Sequence, residues 1–349
     1  MSQPAPGRAL LLSTLLGLVS TACDSAREDS TLPGASTSPA ASSPRASTPL
    51  IASSPSAASQ APAAQVEPVE LWFGGDVHWG HGRNVAARLA PLSEVVRGGT
   101  GFINLEGPLT SSGGPGASID ASNKVTLSNQ AAFLPELKAL GARFIGVANN
   151  HAGDLGMRSV ETTSQLLREG GLEPIGLSAG TRRLELDGQP FHFAAYDLLS
   201  SAPAERSREL AALGREPGLL IVAFHDTGPP SYLPSARLRA AVDEAIDLGA
   251  DIVVSHGTHA LAPVERRGRA VIAWGLGNLL FDCSCTSERD GALLTVGVRG
   301  EELEATVIPI DAGLGEAPAR LSHDPALIFD LLEAIGSSPL LRKGQRASF

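Results

Sequence analysis

Five short apolar runs in this sequence stop at side chains of the kinds that bind metal ions. Short apolar runs bounded by turn residues are typical of buried strands, and open α/β sheets hold their ligands at the carboxyl ends of strands. The side chains are those of Asp76 and His78, Glu106, Asn150 and His151, His225, and the pair His256 and His259. The pattern predicts an α/β fold in which imidazoles, carboxylates and an amide meet at one edge, as in a two-metal hydrolytic centre.

Residues 145–156 show this pattern most densely, because their apolar run passes into two asparagines and His151, with Asp154 three residues later. Taken alone, the segment fits a polar turn, since Asn tolerates left-handed backbone conformations. Asp76 and His78 could likewise be either turn residues or metal ligands, although the period of two in a strand puts both side chains on one face. Five of the eight histidines follow such runs, which favours metal binding over unrelated turns.

The charge of the chain argues against a nucleic-acid partner. The 349 residues carry a net charge of −10 and contain no cluster of Lys and Arg, whereas phosphate backbones require a basic footprint. With 43% hydrophobic residues, the chain can bury a substantial core.

The N-terminus is predicted to be a targeting segment. The apolar run at residues 9–19 is long enough for the core of a signal peptide and too short to cross a bilayer. Cys23 follows, as in bacterial lipoprotein signals, where this cysteine is acylated after cleavage, although Ser20 stands where Leu is usual. We therefore predict a signal peptide at residues 1–23 and an exported, membrane-anchored lipoprotein of the cell envelope. Ordinary secretion, with a secreted or periplasmic product, is the alternative.

Composition also divides the rest of the chain. Residues 24–66 are mostly Ser, Ala, Pro and Thr and are predicted to be a disordered linker. A folded domain is expected at residues 67–312, with a helix at 234–249. An extension at 313–349 carries an amphipathic helix at 324–336, which we expect to pack on the domain because its polar face lacks basic residues.

Cys283 and Cys285 are separated by one residue. This spacing is strained for a disulfide, so a disulfide and a pair of thiols both stay open.

At this point the sequence resembles the CapA family, named for poly-γ-glutamate capsule synthesis, within the calcineurin-like metallophosphatase superfamily. The matching stretches, in the family's order, are 75–76, 104–108, 148–151 with Asp154 and Gly156, His225, His259, 276–278 and 281–282. The resemblance implies an α/β fold, a metallophosphatase-like four-layer αββα sandwich of two mixed β-sheets flanked by helices.

The resemblance also implies a role for each matching residue. Asp76 and His78 would bind a first metal, Glu106 would bridge two metals, and Asn150, His225 and either His256 or His259 would bind the second. His151 would be the general acid, oriented by Asp154. Asn149, Arg83 and Asn278 would contact the substrate. Two divalent ions are expected, and Mn, Fe and Zn are not distinguished.

The sequence departs from the family's pattern at two places. His78 stands where most relatives have an aliphatic residue or Met. In this respect the chain is more similar to the parent phosphoesterases. Gly257-Thr258-His259 stands where many relatives have His-Pro-His. The usual ligand of the second metal is therefore Gly257 here, and only His256 could replace it.

Two functions are consistent with these residues. We favour a metal-dependent hydrolase of the cell envelope that acts on an anionic polymer or phosphoester, in the synthesis, export or anchoring of a capsule polymer such as poly-γ-glutamate. The alternative is a non-catalytic polymer-binding or export factor with a degenerate metal site. The expected partners are the polymer, the membrane through the lipid anchor, and other capsule synthesis proteins.

Overall fold

The computed structural model describes residues 68–349. The predicted signal peptide, the acylation site at Cys23, the linker and the first domain position, residue 67, lie outside the described residues. The strands are β1 (Val69–His78), β2 (Thr100–Leu105), β3 (Leu109–Thr110), β4 (Ala117–Ile119), β5 (Val125–Leu127), β6 (Asn129–Gln130), β7 (Ala142–Gly146), β8 (Glu173–Ile175), β9 (Arg182–Leu186), β10 (Gln189–Asp197), β11 (Leu219–His225), β12 (Ala250–His256), β13 (Val264–Arg267), β14 (Ala270–Ala273), β15 (Asn278–Phe281), β16 (Asp290–Arg299), β17 (Glu302–Asp311), β18 (Gly313–Leu314), β19 (Arg320–Leu321), β20 (Leu341–Lys343) and β21 (Arg346–Ser348).

Most of these strands belong to two mixed sheets. The larger sheet has the order β20-β21-β17-β16-β1-β2-β7-β8, with β15 beside the carboxyl end of β1. The smaller sheet has the order β13-β14-β12-β11-β10-β9. Strands β1, β2, β7 and β8 run parallel to one another, as do β10, β11, β12 and β14. The carboxyl ends of each parallel set therefore share one edge of their sheet.

The helices are α1 (Val85–Leu89), α2 (Leu134–Ala139), α3 (Met157–Glu169), α4 (Pro203–Leu213), α5 (Ala236–Asp247) and α6 (Pro325–Ala334). Two of them occupy the predicted helical segments, and side chains define where they begin. Ser235 caps α5 by accepting a hydrogen bond from the Leu238 amide, and Asp324 caps α6 in the same way through Leu327. Of the described helices, none has the length and apolar character needed to cross a membrane.

The apolar side chains divide into layers, because alternate residues of a strand face opposite sides of the sheet. Phe144 of the larger sheet stacks on Phe193 of the smaller sheet, with their ring centroids 4.1 Å apart, in the core between the sheets. On the outer face of the larger sheet, Trp72 packs in one cluster with side chains of α1, α2 and α3. On the outer face of the smaller sheet, Val222 packs with α4 and α5. The predicted αββα sandwich is confirmed.

The C-terminal segment contributes to this core. Ile328, Phe329 and Leu332 of α6 belong to the cluster between the sheets, and β21 pairs with β17. Since α6 buries this face, it packs on the domain as the sequence indicated.

Cys283 and Cys285 form a disulfide in the loop after β15, with their Cα atoms 5.1 Å apart. The structure thus decides between the two states that the sequence left open. Cys283 is buried beside Phe281 and Leu127.

Candidate metal centre

The candidate site lies where the carboxyl ends of the two parallel strand sets meet. Asp76 is near the end of β1, and Glu106 follows β2 directly in the larger sheet. His225 and His256 are the last residues of β11 and β12, neighbouring strands of the smaller sheet. Because the sheets pack face to face, side chains from both edges reach a common point.

Asp76, Glu106 and His225 form the centre of this group. Each offers one ligand atom, and these atoms all lie within 4.8 Å of one another. The three residues are at most 2% exposed. His225 Nε2 is 3.0 Å from Glu106 Oε1. Two carboxylates and an imidazole, gathered and buried in this way, could hold a divalent metal ion.

Two further imidazoles surround the Asp76 carboxylate. His259 Nδ1 lies 3.0 Å from Asp76 Oδ2, and its Nε2 lies 3.9 Å from Glu106 Oε2. His256 Nδ1 lies 3.4 Å from Asp76 Oδ1. Both of the alternative histidines thus contact the site, one from the end of β12 and the other from the loop that follows.

Several buried polar atoms at this point have no hydrogen-bond partner among the described residues. They include Glu106 Oε2, His78 Nδ1 and His256 Nε2. Buried polar atoms are normally paired, and an unpaired one costs roughly 1–3 kcal/mol. Oxygen and nitrogen atoms left open together are a donor set that fits a divalent cation.

His78 is fully buried and turned partly away from this group. Its Nε2 lies 3.2 Å from the Ser128 carbonyl oxygen, and its ring lies 5.5 Å from that of Phe281. Burial lowers the pKa of His78 to about 4, although the Glu106 charge opposes the shift. The ring is therefore neutral at pH 7, the form in which histidine binds metals.

The charges at the centre shift the other pKa values in opposite directions. Burial by itself would raise the pKa of Asp76, but the hydrogen bonds and charges of His256 and His259 hold it well below its usual value. Burial would lower the pKa of His225, yet Glu106 and Asp76 raise it. Burial would also lower the pKa of His259, but Glu106 and Asp76 raise it to about 9. The two buried carboxylates thus favour the protonated form of both imidazoles.

Asn104 is a site residue to which the sequence reasoning gave no role. Its amide donates to Asp76 Oδ1 at 2.8 Å and points towards Glu106 Oε1 at 3.5 Å. The available signal was its position two residues before Glu106, since alternate residues along an extended chain point the same way. Its amide holds both carboxylates in place.

The two asparagines after β7 have different environments. Asn149 is 4% exposed and donates to Asn104 Oδ1 at 3.2 Å and to the Leu105 carbonyl at 2.8 Å. Asn150, the residue assigned to the second metal by resemblance, is exposed. The buried amide is thus that of Asn149, and the ligand role of Asn150 stays a prediction.

His151 and Asp154 form a pair at the rim. His151 Nδ1 lies 2.7 Å from Asp154 Oδ2, and the Leu127 amide donates to the same carboxylate oxygen at 2.7 Å. Their side chains are 15% and 9% exposed. A carboxylate on Nδ1 orients the imidazole so that Nε2 can transfer a proton.

Of the other predicted substrate residues, Asn278 and Arg83 lie in different surroundings. Asn278 is fully buried, its Oδ1 is 3.0 Å from His259 Nδ1, and its amide donates to the Glu288 carbonyl. It therefore positions His259. Arg83 is 82% exposed and pairs with Glu316 on the surface. Their contact with substrate stays a prediction.

Gly257 contributes its backbone to the site. Its N–H donates to Asp76 Oδ2 at 3.2 Å, and its φ is +103°. A Cβ atom placed there would lie 2.8 Å from His225 Cε1 and 2.9 Å from His225 Nε2. The absence of a side chain at residue 257 therefore makes room for the His225 ring.

Comparison with known proteins identifies the family. The family model described as "Bacterial capsule synthesis protein PGA_cap" matches residues 70–283, which include every predicted metal ligand. This chain belongs to the PGA_cap family. The CapA-family resemblance of the sequence is thereby confirmed.

Two curated relatives of this PGA_cap chain carry the CapA name. It is 24% identical over 204 residues to "Capsule biosynthesis protein CapA" of Bacillus anthracis, a match that covers 51% of this chain and 50% of the relative. It is 24% identical over 196 residues to "PGA biosynthesis protein CapA" of Bacillus subtilis (strain 168), covering 50% of this chain and 52% of the relative. The chain spans about half the length of the curated relatives it matches.

Two solved structures are also similar. One is the crystal structure of a hypothetical protein from Thermus thermophilus, with a TM-score of 0.44, 15% identity, and coverage of 69% of this chain and 98% of that one. The other is "GAP50 the anchor in the inner membrane complex of Plasmodium", with a TM-score of 0.36, 14% identity, and coverage of 78% and 98%.

Proposed function

We propose that this PGA_cap chain is a metal-dependent hydrolase of the cell envelope that acts on an anionic capsule polymer such as poly-γ-glutamate. One observation carries the proposal: two buried carboxylates and a buried imidazole, from strand ends of both sheets, converge within 4.8 Å, beside buried polar atoms that have no hydrogen-bond partner within residues 68–349. The names of the curated relatives, which refer to capsule and PGA biosynthesis, support the choice of polymer.

In this proposal, Asp76, Glu106 and His225 hold the metal, with His256 and His259 beside them. A bound divalent ion would lower the pKa of a water molecule and polarise the bond to be cleaved. Asn104 keeps both carboxylates turned inward. His151, oriented by Asp154, donates a proton from Nε2 to the leaving group.

Activity of the purified full-length chain tests this proposal. The chain, supplied with Mn²⁺ or Zn²⁺, should cleave γ-glutamyl or phosphodiester substrates. Asp76→Asn should abolish activity and metal binding together. His151→Ala should keep the metal and lower kcat by about 10²–10⁴-fold, the range for a lost general acid. Activity that survives both substitutions unchanged would refute a hydrolytic role for this site.

A non-catalytic polymer-binding or export factor is the second candidate, and Gly257 favours it. Residue 257 lacks the imidazole that many relatives carry, and the space beside it is filled by the His225 ring. This candidate predicts polymer affinity that does not depend on metal. Two tightly bound metal ions per chain, measured by elemental analysis, would count against it.

The membrane anchor and the other partners belong to the same proposal. We expect acylation of Cys23, which would place the domain at an envelope membrane, near other capsule synthesis proteins. Cys23→Ser should move the protein from the membrane fraction to the soluble fraction. Membrane retention of this variant would exclude the lipid anchor.

A further inference from the structure

The two ring nitrogens of His225 have different surroundings. Nε2 faces the carboxylates of the metal centre and lies 3.0 Å from Glu106 Oε1. Nδ1 lies on the other side of the ring, 3.3 Å from the hydroxyl oxygen of Thr227. A neutral imidazole carries a single proton, so Nε2 can bind a metal only when that proton is on Nδ1. The groups around Nδ1 therefore decide whether His225 can act as a ligand.

The Thr227 hydroxyl cannot fix that proton by itself. A hydroxyl group can accept a hydrogen bond from an N–H at Nδ1, or donate its own proton to a bare Nδ1. The first arrangement leaves Nε2 free for a metal, and the second does not. A further group must therefore favour the first arrangement.

Asp197 supplies this preference. It is the last residue of β10 and pairs with His225 in the parallel register of β10 and β11. Its Oδ1 lies 3.9 Å from His225 Nδ1, and its side chain is 3% exposed. A buried negative charge at this distance attracts an N–H and repels a nitrogen lone pair. The Asp197 carboxylate therefore favours the proton on Nδ1.

Local hydrogen bonds hold the Asp197 carboxylate in place. The Leu199 amide donates to its Oδ1 at 3.2 Å, and the Ser200 hydroxyl donates to its Oδ2 at 2.6 Å. Both donors are uncharged, and His225 is the one ion-pair partner of Asp197 within residues 68–349. The carboxylate is thus a fixed negative charge beside Nδ1.

The turn that carries Thr227 is held by the start of α5. Arg237 donates to Asp226 Oδ1 at 2.7 Å and to the Thr227 carbonyl oxygen at 3.3 Å. The Ser235 hydroxyl donates to Asp226 Oδ2 at 2.6 Å. The Asp226 amide donates to the His256 carbonyl at 2.9 Å, which ties the turn to the end of β12. These bonds keep the backbone of Thr227 fixed relative to the metal centre.

We propose that Thr227 and Asp197 are positioning residues that hold the proton of His225 on Nδ1, so that Nε2 binds the metal. Histidines that bind metals commonly donate their second ring N–H to an oxygen atom, which fixes the tautomer and strengthens the ligand. The inference rests on the proposed function and specifies how one of its metal ligands is prepared.

The Zn²⁺ affinity of the full-length chain, measured by competition with a chromophoric chelator, tests the inference without catalysis. Thr227→Val keeps the shape of the side chain and removes the hydroxyl, so it should bind Zn²⁺ about 10–100-fold more weakly. Thr227→Ser keeps the hydroxyl and should bind Zn²⁺ as the wild type does. Unchanged affinity in Thr227→Val, or an equal loss in both variants, would overturn the inference.

Asp197→Asn tests the carboxylate separately, because it keeps the size of the side chain and removes the charge. Its Zn²⁺ affinity should fall about tenfold or more, and an unchanged affinity would overturn the inference. Thr162→Val and Asp251→Asn are matched controls and should bind Zn²⁺ as the wild type does. Thr162 donates to the Arg158 carbonyl on the surface of α3, and Asp251 accepts from the Leu220 amide near the start of β12.

NMR spectra of the Zn²⁺-loaded chain, labelled with ¹⁵N-histidine, report the tautomer directly. His225 should carry its proton on Nδ1. That proton should exchange with water faster in Thr227→Val than in the wild type, because it has lost its acceptor. A proton on Nε2 with Nδ1 bound to the metal, or an unchanged exchange rate in Thr227→Val, would overturn the inference.

The combination of results separates this inference from the proposed hydrolysis. Tight Zn²⁺ binding that is equal in the wild type and in Thr227→Val would overturn the inference alone. Zn²⁺ binding that depends on Thr227, without cleavage of γ-glutamyl or phosphodiester substrates, would overturn the catalytic proposal alone. A wild-type chain that binds no divalent metal would overturn both.

Discussion

Gly257 provides the sharpest test of the metal centre, because the family pattern and the structure make opposite predictions for it. If this glycine were merely a lost ligand, Gly257→His would restore a second metal. The structure predicts damage instead. A side chain at φ +103° costs about 1–3 kcal/mol in backbone strain. The overlap of its Cβ with the His225 ring, at 2.8 Å, adds about 1–3 kcal/mol.

The free energy of unfolding should therefore fall by about 2–6 kcal/mol in Gly257→Ala and in Gly257→His. Gly268→Ala is the matched control, because Gly268 also has positive φ, +59°, but a Cβ there meets open space. That control should lose about 1–2 kcal/mol, the cost of the left-handed conformation alone. Urea denaturation monitored by circular dichroism measures all three variants, and the excess loss at residue 257 reports the contact with His225 together with the greater backbone strain at φ +103°.

Metal affinity should also fall when residue 257 is substituted and stay unchanged when residue 268 is substituted. Displacing the His225 ring breaks its 3.0 Å contact with Glu106, so Gly257→Ala should bind Mn²⁺ or Zn²⁺ about tenfold more weakly or worse. Gly268→Ala should bind as the wild type does. The reasoning would be wrong if Gly257→His gained a metal ion per chain without losing stability, or if the two alanine variants were equally stable.

Three further substitutions test other parts of the structure. Divalent metal at a hundred times its Kd should raise the unfolding free energy by about 2.7 kcal/mol, and Asp76→Asn should remove this gain; an equal gain in both proteins, by thermal denaturation, would place the metal elsewhere. The Arg88 side chain is 4% exposed and donates to both carboxylate oxygens of Asp282, at 2.8 and 2.6 Å. Arg88→Met should therefore lower the free energy of unfolding, measured by urea denaturation, by about 3 kcal/mol. A loss near zero would contradict this. Burial raises the pKa of Asp251 despite the Leu220 amide and an adjacent arginine, so its native form holds a proton more tightly than the unfolded chain does. That contribution to stability is present below the unfolded pKa and is lost as pH rises through the folded pKa; Asp251→Asn should therefore gain stability relative to wild type between pH 4 and pH 7, and a constant difference would refute the assignment.

Much of the fold could be read from local signals. The apolar runs that end in ligand-type residues became β1, β2, β7, β11 and β12, and the two amphipathic segments became α5 and α6. These predictions rest on the period of side chains along a strand or helix and on capping residues such as Ser235 and Asp324. Such signals are local, so they are visible without the tertiary structure.

Only part of the site could be predicted from such local signals. The positions of Asp76, Glu106 and His225 at strand ends indicated that they would meet. The hydrogen bonds of Asn104, and the turn of His78 towards the Ser128 carbonyl, depend on which atoms approach from distant strands. The choice between thiols and a disulfide at Cys283 depended on the path of a loop in the same way.

The sequence by itself determined which residue types gather at the strand ends, because periodicity and ligand chemistry act residue by residue, and its resemblance to the CapA family implied the layer architecture. Only the tertiary structure decided that Asn149 rather than Asn150 is buried and that residue 257 must lack a side chain beside His225. The physical reason is that burial and close contact are set by segments far apart in the chain, and two sheets packed face to face bring those segments within a few ångströms of each other.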